Sequence, residues 1–157
     1  ATRDARNRSM NRPRSIHYRI ERGGMTPAQV ECVEWAIREW KAAMHGWLAI
    51  TEDHAFADWQ FSFSQHPNYP AKIARCDHIS DTVKMITFDP RERWAVTSWA
   101  RFWGTVPCLR TYALHEIGHA IGLRHSQNAN SLMHPKPVNT RIDAECQRDA
   151  LAILSNL

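Results

Sequence analysis

Ile16, Tyr18 and Ile20 alternate with His17 and Arg19, the period of two of a half-buried strand, and Gly23-Gly24 ends it. Thr26-Pro27-Ala28-Gln29 then offers an N-cap, a proline at the first helical position and a glutamine at the third. Val30, Val33, Ile37, Trp40 and Met44 follow at helical spacing, so a helix is predicted that stops at Gly46. Leu48 and Ile50 begin a return toward a second strand at Trp59, Phe61 and Phe63, and residues 83–88 read as another. Prolines and Asn68 make 66–70 a loop, and Pro90 and Pro107 bracket an irregular stretch rich in tryptophan. Residues 109–121 return to helical period, with Tyr112, Ala113, Ile117 and Ala120 on the apolar side, until Gly122 interrupts. The tail supplies a capping-box candidate, Thr140 with Asp143, ahead of Cys146, Ala150, Ile153 and Leu154 on one stripe. Strand, helix, strands, helix, helix is an α+β order without internal repeat.

At 157 residues, 43% hydrophobic and 23% charged, the chain is long and apolar enough for one domain with a real core. The net charge of +4 would suggest a polyanion-binding face, but its distribution argues otherwise. Arg3, Arg6, Arg8, Arg12 and Arg14 stand against Asp4 alone within residues 1–14, leaving 15 of the 20 basic and 15 of the 16 acidic residues to balance in the body. The arm reads as a solvated linker left after pro-segment removal, with polyanion binding as the alternative. No window approaches 18 consecutive apolar residues, so no membrane span is expected. The N-terminus lacks the apolar run of a signal peptide, which leaves a cytosolic chain or a mature fragment of something longer. Cys32, Cys76, Cys108 and Cys146 lack C-x-x-C spacing and permit two disulfides in any of three pairings. Disulfides and secretion are the reading adopted here, against free thiols in a cytosolic core.

One segment carries obvious chemistry: His115-Glu116-Ile117-Gly118-His119-Ala120-Ile121-Gly122-Leu123-Arg124-His125. Two histidines four apart on a helix project from one face, one turn apart, so both imidazoles can reach one Zn²⁺ at about 2.0–2.1 Å. Gly122, tolerant of positive φ, lets the chain leave the helix abruptly and swing His125 back as a third ligand. Three imidazoles leave the fourth position for water, the arrangement of a catalytic site. Glu116 cannot point at the metal together with its neighbours and is placed to take a proton from the metal-bound water.

These residues resemble the metzincin metallopeptidases, whose H-E-x-x-H-x-x-G-x-x-H motif this is, and among them the matrixins. Ser126 directly after the third histidine is typical of matrixins. Ser131-Leu132-Met133-His134-Pro135 is similar to their Met-turn, which implies Met133 as an apolar floor beneath the zinc and Pro135 as the start of the S1′ wall. Astacin-like metzincins have tyrosine where Pro135 stands. Ile16 to Ile20 resembles the first strand of the family, the helix through Trp40 its first helix, Ala57-Asp58-Trp59-Gln60-Phe61 its second strand, and Phe88-Asp89-Pro90-Arg91-Glu92-Arg93-Trp94 its F-D-x-x-E-x-W stretch. The resemblance covers residues 13–157. It implies an α+β zincin-like domain, a twisted mixed sheet with three helices, and an extended substrate held along the edge strand at Ile73 and Ala74.

The chain also departs from the family. Alignment of Ile73-Ala74-Arg75-Cys76 with the edge strand puts Arg75 where a structural-zinc histidine belongs, and Thr87 takes the corresponding place before Phe88-Asp89. The loop 65–71 is short and lacks the usual Gly-Asp ligands, so neither a second zinc nor calcium is expected. Asp89 and Glu92 fall well short of the six to eight oxygens calcium takes and read as a loop-capping pair. Disulfides would replace the stiffness of those ions. The specificity loop after Pro135 is short, with Pro137 where the family often has tyrosine. A hydrophobic P1′ side chain is still expected. His134 reads as a rim residue rather than a ligand. Trp94, Trp99, Phe102 and Trp103, interleaved with Arg91, Arg93 and Arg101, read as anchors of a long loop, with a stacking surface for sugars or single strands as the alternative.

The expectation is a monomeric, secreted zinc endopeptidase: residues 1–14 a basic arm, 15–157 the catalytic domain, one zinc on His115, His119 and His125, and Glu116 catalytic. Its partner is a protein or peptide substrate, not nucleic acid. Rival readings are a matrixin scaffold serving as a binding module for glycan, nucleic acid or host protein, and a peptidase acting on cell-wall peptides or in self-processing.

Overall fold

The computed structural model describes residues 13–65, 72–97 and 106–156. Five strands form one sheet in the order β2-β1-β3-β5-β4, where β1 is Arg14–Ile20, β2 Leu48–Glu52, β3 Trp59–Phe63, β4 Ala74–His78 and β5 Lys84–Phe88. Strands β2, β1, β3 and β5 run parallel to their neighbours, and β4 alone is antiparallel, pairing Ala74 with Phe88 and Cys76 with Ile86. The parallel strands carry core residues such as Ile16, Trp59, Phe61 and Ile86, while β4 closes the sheet with partly exposed residues. Leu48 and Ile50, expected only as an approach to a later strand, are buried and form the full edge strand β2, which pairs in register with β1 from Arg14↔Leu48 to Tyr18↔Glu52.

Helix α1 (Pro27–Ala43) starts as its sequence dictates. Thr26 Oγ1 accepts from the Gln29 N–H at 3.2 Å, and Gln29 Oε1 accepts from the Thr26 N–H at 2.9 Å, so both orphan donors are satisfied ahead of the proline. His45 and Gly46, at φ +49° and +85°, turn the chain out toward β2. The inner face of α1 buries Cys32, Val33, Ala36, Ile37 and Trp40 against helix α2 (Leu109–Ile121). Trp40 is fully buried, and its indole N–H donates to the Leu114 carbonyl at 2.9 Å, which removes the cost of an unpaired donor in the core.

Helix α3 (Ala144–Ser155) is capped by Asp143, not by Thr140. Asp143 Oδ1 accepts from the Cys146 N–H at 3.0 Å, three residues on, whereas Thr140 precedes the helix and shares a 2.7 Å hydrogen bond with Thr111 at the start of α2. The expected disulfides are absent: Cys32, Cys76, Cys108 and Cys146 are free thiols. Their sites are spread over different elements and engaged otherwise. Cys32 Sγ donates to the Val96 carbonyl at 3.5 Å, Cys146 Sγ donates to Asp143 Oδ2 at 3.3 Å, and Cys76 lies on β4. Stiffness therefore comes from packing and hydrogen bonds.

Trp94 anchors its loop, with its ring edge-on to Phe88 and Phe63 and its N–H on the Asp89 carbonyl at 2.8 Å. Trp99, Arg101, Phe102 and Trp103, most of the basic arm and most of the loop 65–71 lie outside the described residues.

Candidate metal centre

Helix α2 delivers two of the three histidines. His115 and His119 sit one turn apart, with ring centroids 4.7 Å and Nε2 atoms 3.1 Å from each other. The helix ends at Gly122, whose φ of +125° is open to glycine and strained for other residues. Gly122 N–H donates to the His119 carbonyl at 3.0 Å and Leu123 N–H to the Gly118 carbonyl at 2.9 Å, the paired bonds of a Schellman ending. That reversal carries His125 back, its ring 4.7 Å from His119 and 5.3 Å from His115. One ring nitrogen from each histidine lies within 4.8 Å of the others, which makes this the only three-residue metal-competent group among the described residues.

The hydrogen bonds around the rings fix their chemistry. His115 Nδ1 lies 2.7 Å from the Leu132 carbonyl and His119 Nδ1 2.8 Å from the Leu123 carbonyl. A carbonyl only accepts, so both protons are on Nδ1 and both Nε2 atoms present bare lone pairs. Burial holds the rings neutral, pushing His115 down to about 4 and also lowering His119. His125 is lowered by burial too, with Lys72 and His134 adding. Two lone pairs facing each other at 3.1 Å need a cation between them, and the separation is close to the roughly 3.3 Å between nitrogens across a tetrahedral zinc. The donor set fits zinc: three neutral imidazoles, at least two of them oriented by backbone carbonyls behind them.

Met133 packs closely on α2. A Cβ on Gly118 would lie 2.5 Å from Met133 Sδ and 3.4 Å from Trp40, so only glycine at mid-helix allows Met133 to come this close to the helix. Glycine there costs helix propensity of about 1 kcal/mol, which the close packing offsets. Asp143 fastens the same turn from behind. Its Oδ2 accepts from the Leu132 N–H at 2.7 Å, while the Leu132 carbonyl receives His115, so one peptide unit links the cap of α3 to a ligand. Burial by itself would raise the Asp143 carboxyl, but donation from the Leu132 and Cys146 N–H groups and the Cys146 thiol outweighs it and holds the group below the usual carboxylate range. Ser126 joins the strands of this turn: its N–H donates to the Met133 carbonyl at 2.9 Å and its hydroxyl to Glu145 at 2.9 Å.

Glu116 is 5% exposed, and that burial pushes its carboxyl up to about 8, with Lys72 opposing and Asp77 adding to the rise. It shares a cleft of about 650 Å³ with all three histidines, and Ile73, Ala74 and Pro135 line the same cleft. Pro137 is buried, and His134 caps the turn by accepting from the Lys136 N–H at 3.1 Å. The motif brought the three histidines to light, but not the groups that aim them. Leu132 and Leu123 act through carbonyls, which no side-chain pattern advertises, and Asp143 was visible only as a cap. Gly118 sits at a variable position of the motif, so its need emerges only from the contact with Met133.

Arg75 and Thr87 stand opposite each other in the β4–β5 ladder, at the positions where the family resemblance implied metal ligands. Arg75 pairs with Asp77 along its own strand. Asp89 is 7% exposed and both its oxygens are taken: Oδ1 accepts from the Arg91 N–H at 2.9 Å and its Nε at 3.1 Å, and Oδ2 accepts from the other arm of the guanidinium at 2.9 Å. The carboxylate caps its loop.

Comparison with known proteins places this geometry. A 65-residue stretch is 45% identical to matrix metalloproteinase-B of Caenorhabditis elegans, covering 41% of this chain and 12% of that protein. The family model for matrixins matches residues 12–153, from the first strand through the metal helix and Met-turn into α3. Matrixins are metalloproteases that use a catalytic zinc and act on proteins, and this chain belongs to the matrixin family.

Proposed function

We propose that this chain is a zinc-dependent endopeptidase domain in which His115, His119 and His125 hold one zinc and Glu116 moves the proton. The observation that carries the reading is the convergence of three neutral histidines around lone pairs that need a cation, with a buried glutamate on the same cleft. When bound, zinc supplies Lewis acidity, making water a nucleophile near neutral pH and polarising the scissile carbonyl. The carboxylate of Glu116 accepts a proton from the attacking water and returns it to the departing amine nitrogen. Extended peptide lies along the edge of β4 past Ile73 and Ala74, and Pro135 walls the pocket that receives an apolar P1′ residue. Met133 gives the histidines an apolar floor.

The same reading assigns residues 15–157 to the catalytic domain and 1–14 to a basic arm, and it takes the domain as a secreted monomer without structural zinc or calcium. Metal analysis together with a peptide-library digest tests it. One zinc per chain is expected, with cuts before apolar residues that vanish in Glu116→Ala while zinc and fold remain. Cleavage by Glu116→Ala at the wild-type rate would sink the assignment of Glu116, and zinc without any cleavage would favour a binding module.

A further inference from the structure

The helical stripe assigns Tyr112 to the apolar side of its helix, yet the structure leaves it half-buried and on the lining of the cleft, together with Pro135, His115 and Glu116. At spacings of three, four and seven it shares one side of α2 with His115, Glu116 and His119, so its ring stands one turn before the first histidine and the glutamate. Burial and the charge of Glu116 push the phenol up, so the ring presents an uncharged face to the cleft at neutral pH.

The ring is backed by other aromatics. Trp94 meets it edge-on, with centroids 5.6 Å apart, and Trp94 is itself held by Phe88, by Phe63 and by the bond from its N–H to the Asp89 carbonyl. The chain after Pro135 is fastened as well. Thr140 shares its 2.7 Å hydrogen bond with Thr111, the residue before Tyr112, and Asp143 accepts from the Leu132 N–H. Thr111 is 3% exposed, so its hydroxyl would lose its partner without gaining water if that loop moved away. Space between Pro135 and Tyr112 therefore has little freedom to widen.

We propose that Tyr112 is a specificity-determining residue whose ring closes the pocket facing Pro135, so that the domain takes compact aliphatic P1′ side chains (valine, leucine, isoleucine) and discriminates against phenylalanine and tryptophan. The inference rests on the peptidase reading above and deepens it by naming the size class of the substrate. A ring-bearing P1′ side chain would have to displace a packed aromatic or a tethered loop, and overpacking of that kind is costly. Each such substrate is expected to fall about tenfold below its leucine counterpart in kcat/KM.

The test uses the zinc-loaded protein and internally quenched peptides that differ only at P1′, carrying Val, Leu, Phe or Trp. Leu above Phe above Trp is the expected order. Tyr112→Phe, which keeps the ring and drops the hydroxyl, should retain it, whereas Tyr112→Ala and Tyr112→Val should bring the Leu-to-Phe ratio to about one or below. Each ratio is taken within a single variant, so a general loss of activity cancels, and the valine variant serves if the alanine variant does not fold. Fluorescence anisotropy of the same peptides on Glu116→Gln gives a readout free of turnover and should show the wild-type order. A ratio unchanged in Tyr112→Ala and Tyr112→Val would overturn the assignment to Tyr112. Equal kcat/KM across the wild-type series, or Phe above Leu, would overturn the size selection, and either result leaves the peptidase reading standing. A zinc-loaded protein that cleaves none of the peptides would overturn both.

Discussion

The histidine cluster and the carboxylates of β4 and the loop after β5 hold their polar groups in different ways. Toward α2, backbone carbonyls and a helix cap aim histidines at a common point and leave bare nitrogens there. Around β4 and β5, Asp89 is enclosed by Arg91 and Arg75 pairs with Asp77, so these carboxylate oxygens are committed to guanidinium groups. A metal site is recognisable by donors held in place yet unspent; carboxylates already bonded by arginine stabilise a loop instead.

The sharpest way to break this contrast is Glu116→Gln, which should lower kcat by about three orders of magnitude with little change in the unfolding midpoint, measured by peptide hydrolysis and urea titration. Removal of zinc comes next. A chelator should cost the folded state about 2.7 kcal/mol if free zinc had stood 100-fold above its dissociation constant, while calcium added to the zinc-loaded protein should leave the midpoint unmoved. A calcium-dependent rise would show that the arginine-bonded carboxylates still serve as ligands. Gly118→Ala should destabilise by about 1–3 kcal/mol through the clash with Met133, despite the better helix propensity of alanine, and should weaken zinc binding by calorimetry.

Asp143→Asn should act mainly through pH. The Asp143 carboxyl is depressed in the folded state, so its stabilisation is fully present above the unfolded-state carboxylate range and is lost as pH falls through the lower folded value. Wild type should therefore lose more stability than Asp143→Asn between pH 7 and pH 3 in urea titrations, and equal losses would contradict the assigned hydrogen bonds. Smallest of all, Arg91→Ala should shift the midpoint less than any of these, because the guanidinium is half exposed to solvent.

Most of the metal side was legible in the sequence because its determinants are local. A four-residue spacing, a helix-ending glycine and a histidine three residues later specify a geometry that secondary structure alone nearly completes. The capping box at Thr26 and the bounds of α2 were readable for the same reason. Strand β2 was harder, since five residues with two apolar positions acquire meaning only when β1 lies beside them. Cysteine parity misled because it counts thiols without knowing their neighbours, and Cys146 is occupied by Asp143 and Ser131. The cap of α3 was placed at the wrong residue, although Asp143 itself was in view, because its second partner, Leu132, is eleven residues upstream.

That last link sets an order of assembly. All three histidines and Met133 precede Asp143 along the chain, so a growing polypeptide exposes its complete set of ligands before it has made the residue that fastens the turn holding them. Until the helix that follows Met133 has been made, the turn behind His115 lacks the carboxylate that fastens it.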